Sequence, residues 1–168
     1  MTTPEQIQHR AHVEETRIVL MELHKVLIDQ SRADYEKIHA EIANPWNFLQ
    51  LLMGDSFFSW LHPFSKLITS IDELLEIKLP MREVDATAVR ALIENLVGDF
   101  PTTPMDFRTH YLDMIQREPN VVVAHAKLKQ TMTKLPQPEL NKLPTLLKIP
   151  TQWSAANKLS RARESGNS

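Results

Sequence analysis

The sequence predicts an all-α protein, an up-down bundle of four to six helices with a long first helix and a Pro-rich C-terminal tail. Apolar side chains recur every three, four or seven residues over most of the chain, which is the spacing of one helix face. Only 3 glycines occur among 168 residues, so the tight hairpin turns of β-sheet proteins have little support. Prolines stand where the periodic stretches begin or end, as they do at helix boundaries.

The first predicted helix runs from Pro4 to about Ala43. Thr3 or Thr2 can cap it, because a hydroxyl oxygen accepts hydrogen bonds from the free N–H groups of the first turn. Such a helix would be roughly 60 Å long, so we expect a kink, a break near Ser31–Asp34 or a projecting end. Its apolar stripe comprises Val13, Leu20, Leu23, Leu27, Ile28, Tyr35, Ile38 and Ile42.

The next two helices are separated by a glycine and an aspartate. Asn44 is the expected cap of a short helix that ends near Met53, and Asp55 is the expected cap of the helix that follows. Pro63 would lie eight residues into that second helix and kink it. Alternatively, the segment from Asp55 to His62 forms a separate turn, and the main helix begins at Pro63.

Three further helices are predicted over Asp85–Val97, Met105–Arg117 and Val121–Lys134. Gly98 is the expected left-handed residue after the first of them, and residues 99–104 read as a loop with two prolines. The β-branched run 121–123 could also form a strand. It has no partner run elsewhere in the chain, so a helix is favoured.

The composition changes after residue 135, which suggests a helical domain over residues 1–135 and a tail over residues 136–168. Prolines occur at positions 136, 138, 144 and 150, and the last twelve residues are polar. We therefore expect the tail to be mostly irregular or disordered.

Several classes of protein are excluded by what the sequence lacks. Without cysteine it can form no disulfide, thiol nucleophile or Cys-based metal site. It contains no glycine-rich phosphate loop. A formal net charge of −2 disfavours nucleic acid as a partner. No apolar run reaches the ~20 residues of a membrane span, and the N-terminal segment has no signal-like apolar stretch, so we expect a cytoplasmic, non-membrane protein.

The most distinctive segment combines Pro45-Trp-Asn-Phe-Leu49 with the run Asp55-Ser-Phe-Phe-Ser-Trp-Leu-His-Pro-Phe-Ser-Lys-Leu-Ile68 and a later Ile71-Asp-Glu. It resembles a group of uncharacterised bacterial proteins that share P-W-x-F-L, then D-x-x-F-x-W-L-x-P-[LF]-[ST]-x-L-I, then I-D-E. No activity is known for this group. The resemblance implies a bacterial, helical, non-membrane protein and supplies no catalytic residue.

Inward histidines raise a second possibility, a metal-binding bundle holding Fe or Zn. His24 lies within the apolar stripe of the first helix, and Glu36 and His39 have the E-x-x-H spacing of di-iron carboxylate proteins. His110, with His125 as a further option, could complete the ligand set. The sequence contains only one such E-x-x-H pair, so this hypothesis is the alternative.

Catalysis by a serine nucleophile would need a general base beside the serine hydroxyl. His62 stands close in sequence to Ser59 and Ser65, but no G-x-S-x-G motif accompanies them. No catalytic residue and no cofactor are predicted.

The preferred hypothesis is a non-enzymatic protein that associates with itself or with a protein partner. Phe58 is adjacent to Phe57 and cannot share the face of Trp60, so we expect it to lie outside the core. In the tail, the apolar side chains of Leu143, Leu147 and Trp153 are the other candidates for contact with a partner.

Overall fold

The computed structural model describes residues 1–98 and 104–167, which form α-helices and short 3₁₀ helices with no β-strand among them. The α-helices are α1 (Pro4–Ile38), α2 (Pro45–Gly54), α3 (His62–Glu76), α4 (Glu83–Val97), α5 (Met105–Arg117), α6 (Pro119–Met132), α7 (Leu143–Leu146) and α8 (Pro150–Gly166). The all-α class is confirmed, but these residues contain more helices than the four to six predicted. The predicted loop falls outside the described residues except for Pro104.

The long first helix is confirmed as α1, which is continuous through Ser31–Asp34, where a break was one expectation. It ends at Ile38, before the predicted Ala43. The chain leaves the helix there, and Ile42, which the prediction placed inside the helix, is buried beyond its end at 7% exposed. The backbone N–H of Ile42 donates back to the carboxylate of Glu36 at 3.3 Å.

Each of the first helices begins at a side-chain cap that the sequence predicts. Thr3 accepts a hydrogen bond from the backbone N–H of Gln6 at 3.2 Å, and the Gln6 side chain accepts from the Thr3 N–H at 2.9 Å. Asn44 accepts from the N–H of Asn47 at 2.9 Å. Asp55 accepts from the N–H two residues later at 2.8 Å. Such caps pair N–H groups that the helix itself leaves free.

The segment around Pro63 follows the second of the two sequence alternatives. Residues Ser56–Leu61 form a separate 3₁₀ helix, and α3 begins at His62 with Pro63 in its first turn. A first-turn proline lacks only an N–H that would have no partner within the helix, so it starts α3 without a kink.

One expectation about the later helices is wrong, and another is confirmed. Gly98 follows α4 with a φ of −90°, so it does not adopt the left-handed conformation. A glycine is required for a different reason, because a Cβ at this position would collide with the carbonyl oxygen of Glu94. Val121–Val123 lie inside α6, which rules out the strand alternative.

The core surrounds α1, which packs against α3, α4 and α6. Burying one large apolar side chain contributes about 1.5–3 kcal/mol, so this core is the main source of stability. The largest fully buried side chains are Trp153, Phe58, Phe64, Phe107, Leu20, Leu23, Leu27, Ile71, Ile93, Leu128, Leu135 and Val13.

The C-terminal tail is helical and packs on the body, contrary to the expectation of an irregular or disordered segment. Pro144 and Pro150 occupy first-turn positions of α7 and α8, where proline favours a helix start. On α8, Trp153 is 1% exposed, and the Asn157 amide donates to the carbonyl oxygen of Glu73 at 2.7 Å. The tail therefore packs on the body through α8 as far as Asn157.

Candidate functional site

His24, the most inward of the metal candidates, is paired with a serine. Its Nε2 lies 3.1 Å from the Ser65 Oγ, and its ring stacks on Phe64 with centroids 5.1 Å apart. Burial lowers the pKa of His24 and so favours the neutral ring. The partner of Ser65 is therefore His24, whereas His62 lies 3.3 Å from the carbonyl oxygen of Leu52.

The other metal candidates have separate partners. Glu36 accepts a hydrogen bond from Arg32 at 2.9 Å. His39 packs on the Tyr35 ring with centroids 4.4 Å apart, and His110 belongs to another cluster near α5. Over residues 1–98 and 104–167, no group of three or more His, Asp or Glu side chains could hold a metal ion. The structure does not assemble the predicted ligand set.

Phe58 lies in the core, so its predicted place on a contact surface is wrong. It is 0% exposed, and its ring centroid lies 5.4 Å from that of Tyr35, 5.8 Å from that of Phe48 and 5.2 Å from that of Phe57. The 3₁₀ geometry of Ser56–Leu61 and the presence of α2 provide a second apolar wall, which a single helical stripe could not supply.

The tail candidates are also directed inward. Leu143 is 8% exposed and Trp153 is 1% exposed, while Leu147 is partly buried against the core. The Trp153 indole donates to Asp85, whose carboxylate also receives two hydrogen bonds from the Arg82 guanidinium at 3.0 and 2.8 Å. The hydrogen bonds to Asp85 raise the pKa of Arg82, which keeps this charged pair intact. These residues attach α8 to the body, so the three tail candidates are not available as an exposed contact surface.

A different surface is exposed, on helix α2. Trp46 is 65% exposed, Leu49 is 45% exposed and Met53 is 73% exposed. Their spacing of three and seven residues places them on one side of the helix, and we refer to them as the α2 apolar face. The opposite side, with Phe48 and Leu52, packs on the core.

The sequence contains a signal for the α2 apolar face. Residues 45–54 include no charged side chain, and their apolar residues extend beyond one side of the helix. A helix that is apolar on two sides needs cover on both of them. In the structure no residue of α2 is fully buried, so one side of the helix is without cover in the monomer.

A second feature is a cavity of about 440 Å³ between α1, the 3₁₀ helix and α5. We call it the Ser31 cavity, because the Ser31 hydroxyl is the one buried side-chain polar atom in the described part of the chain that has no hydrogen-bond partner. Ser31 is only 1% exposed and lines the cavity together with Phe57, Trp60 and Met114.

The mouth of the Ser31 cavity carries a network of charges centred on Arg117. Its guanidinium pairs with both oxygens of Asp34, with Asp113 at 2.8 Å and with Glu118 at 3.1 Å. Burial opposes the ionisation of Asp34, but the hydrogen bonds and charge of Arg117 outweigh it and lower the pKa of that carboxyl group. Lys37 lies 3.7 Å from the same carboxylate.

His110 forms the wall of the cavity opposite α1. Its ring stacks on Trp60 with centroids 5.1 Å apart and planes 13° from parallel. Its Nδ1 lies 2.8 Å from the backbone carbonyl oxygen of Asp106. A carbonyl oxygen can only accept, so Nδ1 carries the hydrogen and the neutral ring presents Nε2 as an acceptor.

A larger cavity of about 630 Å³ lies between α3, α4 and the start of α8. Among its described lining residues, Lys66 is the only one with a fixed charge, and none has an unpartnered buried polar atom. The smaller Ser31 cavity has the more specific chemistry.

Comparison of the chain with protein-family models, with curated proteins and with solved structures finds no match. The resemblance to the bacterial group therefore stays a prediction. In the described part of the chain, no helix is both long enough and apolar enough to cross a bilayer.

Proposed function

We propose that this chain is a non-enzymatic, cytoplasmic helical-bundle protein that acts by association with a second copy of itself. The observation that supports this proposal is the α2 apolar face. Three large apolar side chains share one side of a helix whose other side already packs on the core. Exposed apolar residues that cluster in this way are typical of interaction surfaces.

A second copy fits this face because α2 carries no charge. Two identical surfaces meet across a two-fold axis, so any charged residue near the axis would face its own copy. Residues 45–54 contain none, and their polar side chains are the uncharged Asn47 and Gln50. Self-association through α2 therefore brings no like charges of this helix together.

The size of the α2 apolar face predicts a weak dimer. Aromatic side chains bury about 150–250 Å² each, so three partly exposed side chains cover a few hundred Å² per copy. A standard stable interface buries about 800 Å² per partner. We therefore expect a reversible dimer, with a dissociation constant roughly between 10 μM and 1 mM.

Sedimentation velocity over a concentration series up to about 1 mM tests the proposal. We expect the mean mass of the wild type to rise with concentration, and the Trp46→Ala, Met53→Ala double variant to remain monomeric. Leu159→Ala is the matched control, because Leu159 is 61% exposed on α8, away from α2. This control should dimerise like the wild type.

Two results would overturn the proposal. One is a wild type that stays monomeric over the whole concentration range, which would leave the α2 apolar face to a different protein. The other is a double variant that dimerises as strongly as the wild type, which would place the interface elsewhere. Circular dichroism of each variant controls for folding, and it should be unchanged because the substituted side chains are exposed.

A further inference from the structure

We propose that the Ser31 cavity binds a small organic cation, a primary amine carried on an apolar or aromatic body. Three features point to this class of ligand: an unpartnered hydroxyl, a second free acceptor, and an excess of negative charge at the mouth. The inference is independent of the α2 apolar face, which lies on another part of the surface.

The buried hydroxyl of Ser31 indicates that something polar belongs in the cavity. Leaving a buried polar group without a partner costs about 1–3 kcal/mol, so native structures rarely do so. In the middle of α1 a serine could have been an alanine at no cost to the helix. A ligand that hydrogen-bonds to Ser31 would remove this penalty.

His110 narrows the class of ligand, because its ring offers a hydrogen-bond acceptor. Its Nδ1 hydrogen is directed to the Asp106 carbonyl oxygen, so the neutral ring can only accept at Nε2. No other described residue makes a hydrogen bond to that nitrogen. Together with the Ser31 oxygen, the walls present two acceptors, which fits a ligand that donates several hydrogen bonds.

The charge at the mouth selects a cation. Arg117 is surrounded by three carboxylates, those of Asp34, Asp113 and Glu118. Lys37 adds one positive charge at 3.7 Å from Asp34. Glu118 does not line the cavity but pairs with Arg117, which does. With Glu118 included, the network has three negative and two positive charges, an excess of one negative charge that a monocation would balance.

The remaining walls suit an apolar body. Phe57, Trp60 and Met114 line the cavity, and its volume of about 440 Å³ is within the range of small-molecule sites. An aromatic face beside carboxylates also attracts an ammonium group directly. The site is therefore suited to a small amine with an apolar body.

Phenethylamine is the probe, with neutral 2-phenylethanol and anionic 3-phenylpropionate as matched controls of nearly the same shape. Binding is followed by the indole N–H resonances in two-dimensional NMR. Trp60 lines the cavity, whereas Trp46 is on the α2 apolar face and Trp153 is a buried residue of α8 bonded to Asp85, so the other two indoles are internal controls. We expect saturable shifts of the Trp60 resonance with phenethylamine below about 10 mM, and at least about tenfold weaker binding of both controls.

Two variants test the assigned roles. Ser31→Ala should weaken phenethylamine binding about tenfold, the effect of losing one hydrogen bond to a charged group, without lowering the melting temperature. Asp113→Asn, at a site whose side chain is 61% exposed, should weaken it severalfold while leaving the fold intact. Ser59→Ala, at an exposed serine on the same 3₁₀ helix, should leave binding unchanged.

The proposal is overturned if phenethylamine gives no saturable Trp60 shift. It is also overturned if 2-phenylethanol binds as tightly as the amine, because the charge would then be irrelevant. An unchanged affinity of Ser31→Ala for the amine would exclude the hydroxyl as its partner and would equally contradict the proposal.

Discussion

The indole Nε1 of Trp153 donates a hydrogen bond of 2.9 Å to the Oδ1 of Asp85, a residue 68 positions earlier in the chain. Both side chains are buried, with Trp153 1% and Asp85 5% exposed. The bond joins α8 to the start of α4, so the C-terminal segment contributes to the stability of the whole fold.

The first prediction concerns this contact. Trp153→Ala should destabilise the protein by about 3–5 kcal/mol, because it removes a fully buried aromatic side chain and leaves a cavity. Trp153→Phe keeps most of the volume but leaves the Asp85 oxygen with one donor fewer, and it should cost about 1–3 kcal/mol. Urea unfolding followed by circular dichroism measures both. An unchanged urea midpoint for Trp153→Ala would show that α8 does not stabilise the body.

The second prediction separates the predicted contact residue from the observed surface. Phe58→Ala should cost about 3–5 kcal/mol, because Phe58 is 0% exposed among other aromatic rings. Trp46→Ala should change stability by no more than about 0.5 kcal/mol, because its side chain is 65% exposed. Chemical denaturation of both variants measures the contrast. Equal losses of stability would mean that Trp46 is as well packed as Phe58.

The third prediction compares two glycines. Gly98→Ala should destabilise by about 1–3 kcal/mol, because the new methyl group would collide with the Glu94 carbonyl oxygen. Gly54→Ala is the matched control, since no atom lies within 4 Å of a Cβ placed there. It should stabilise the last turn of α2 by about 0.4–1 kcal/mol. Melting temperatures should therefore move in opposite directions, and a fall in both would contradict the prediction.

The fourth prediction is a loss of stability at mildly acidic pH. Burial lowers the pKa of His24, and burial together with the charge of Lys129 lowers that of His125. The unfolded chain then binds more protons than the folded one as the pH falls below about 6.5, the ordinary pKa of histidine. The stabilising effect of these neutral rings is complete above that pH and is lost on acidification.

Urea midpoints at pH 7.5 and pH 5.5 measure this fourth effect. The His24→Gln variant keeps a polar side chain but cannot titrate, so the difference between the two midpoints should become smaller. His9→Gln is the control, because His9 lies near the start of α1 and is not buried. If His24→Gln retains the full pH dependence, His24 is not among the groups responsible.

Much of the helical framework could be predicted because it depends on neighbours in the sequence. The cap at Thr3 needs only Gln6, and the cap at Asn44 needs only Asn47. A proline affects the backbone of its own helical turn. A helix start at Pro63 was therefore one of the two alternatives that the sequence offered. These interactions span three or four residues, and a sequence window contains both partners.

The candidate sites were harder to predict, because helical periodicity identifies an apolar face but not what covers it. Phe58 has no place on the stripe of its own segment, yet Tyr35 and Phe48 complete a second apolar wall around it. Trp46 belongs to the same aromatic-rich segment, yet its side chain is 65% exposed. His24 is paired with Ser65 of another helix, whereas His39 packs on Tyr35, only four residues earlier in the chain.

The sequence by itself determined the all-α class, the helix starts and the absence of cysteine and phosphate-loop chemistry, because these follow from local geometry and composition. Tertiary structure alone decided that the C-terminal tail is helical and packed, that the α2 apolar face is exposed, and that Ser31 borders a cavity beside Arg117 and His110. Each of these depends on residues brought together from distant parts of the chain, and long-range packing selects among the many pairings that the local pattern allows.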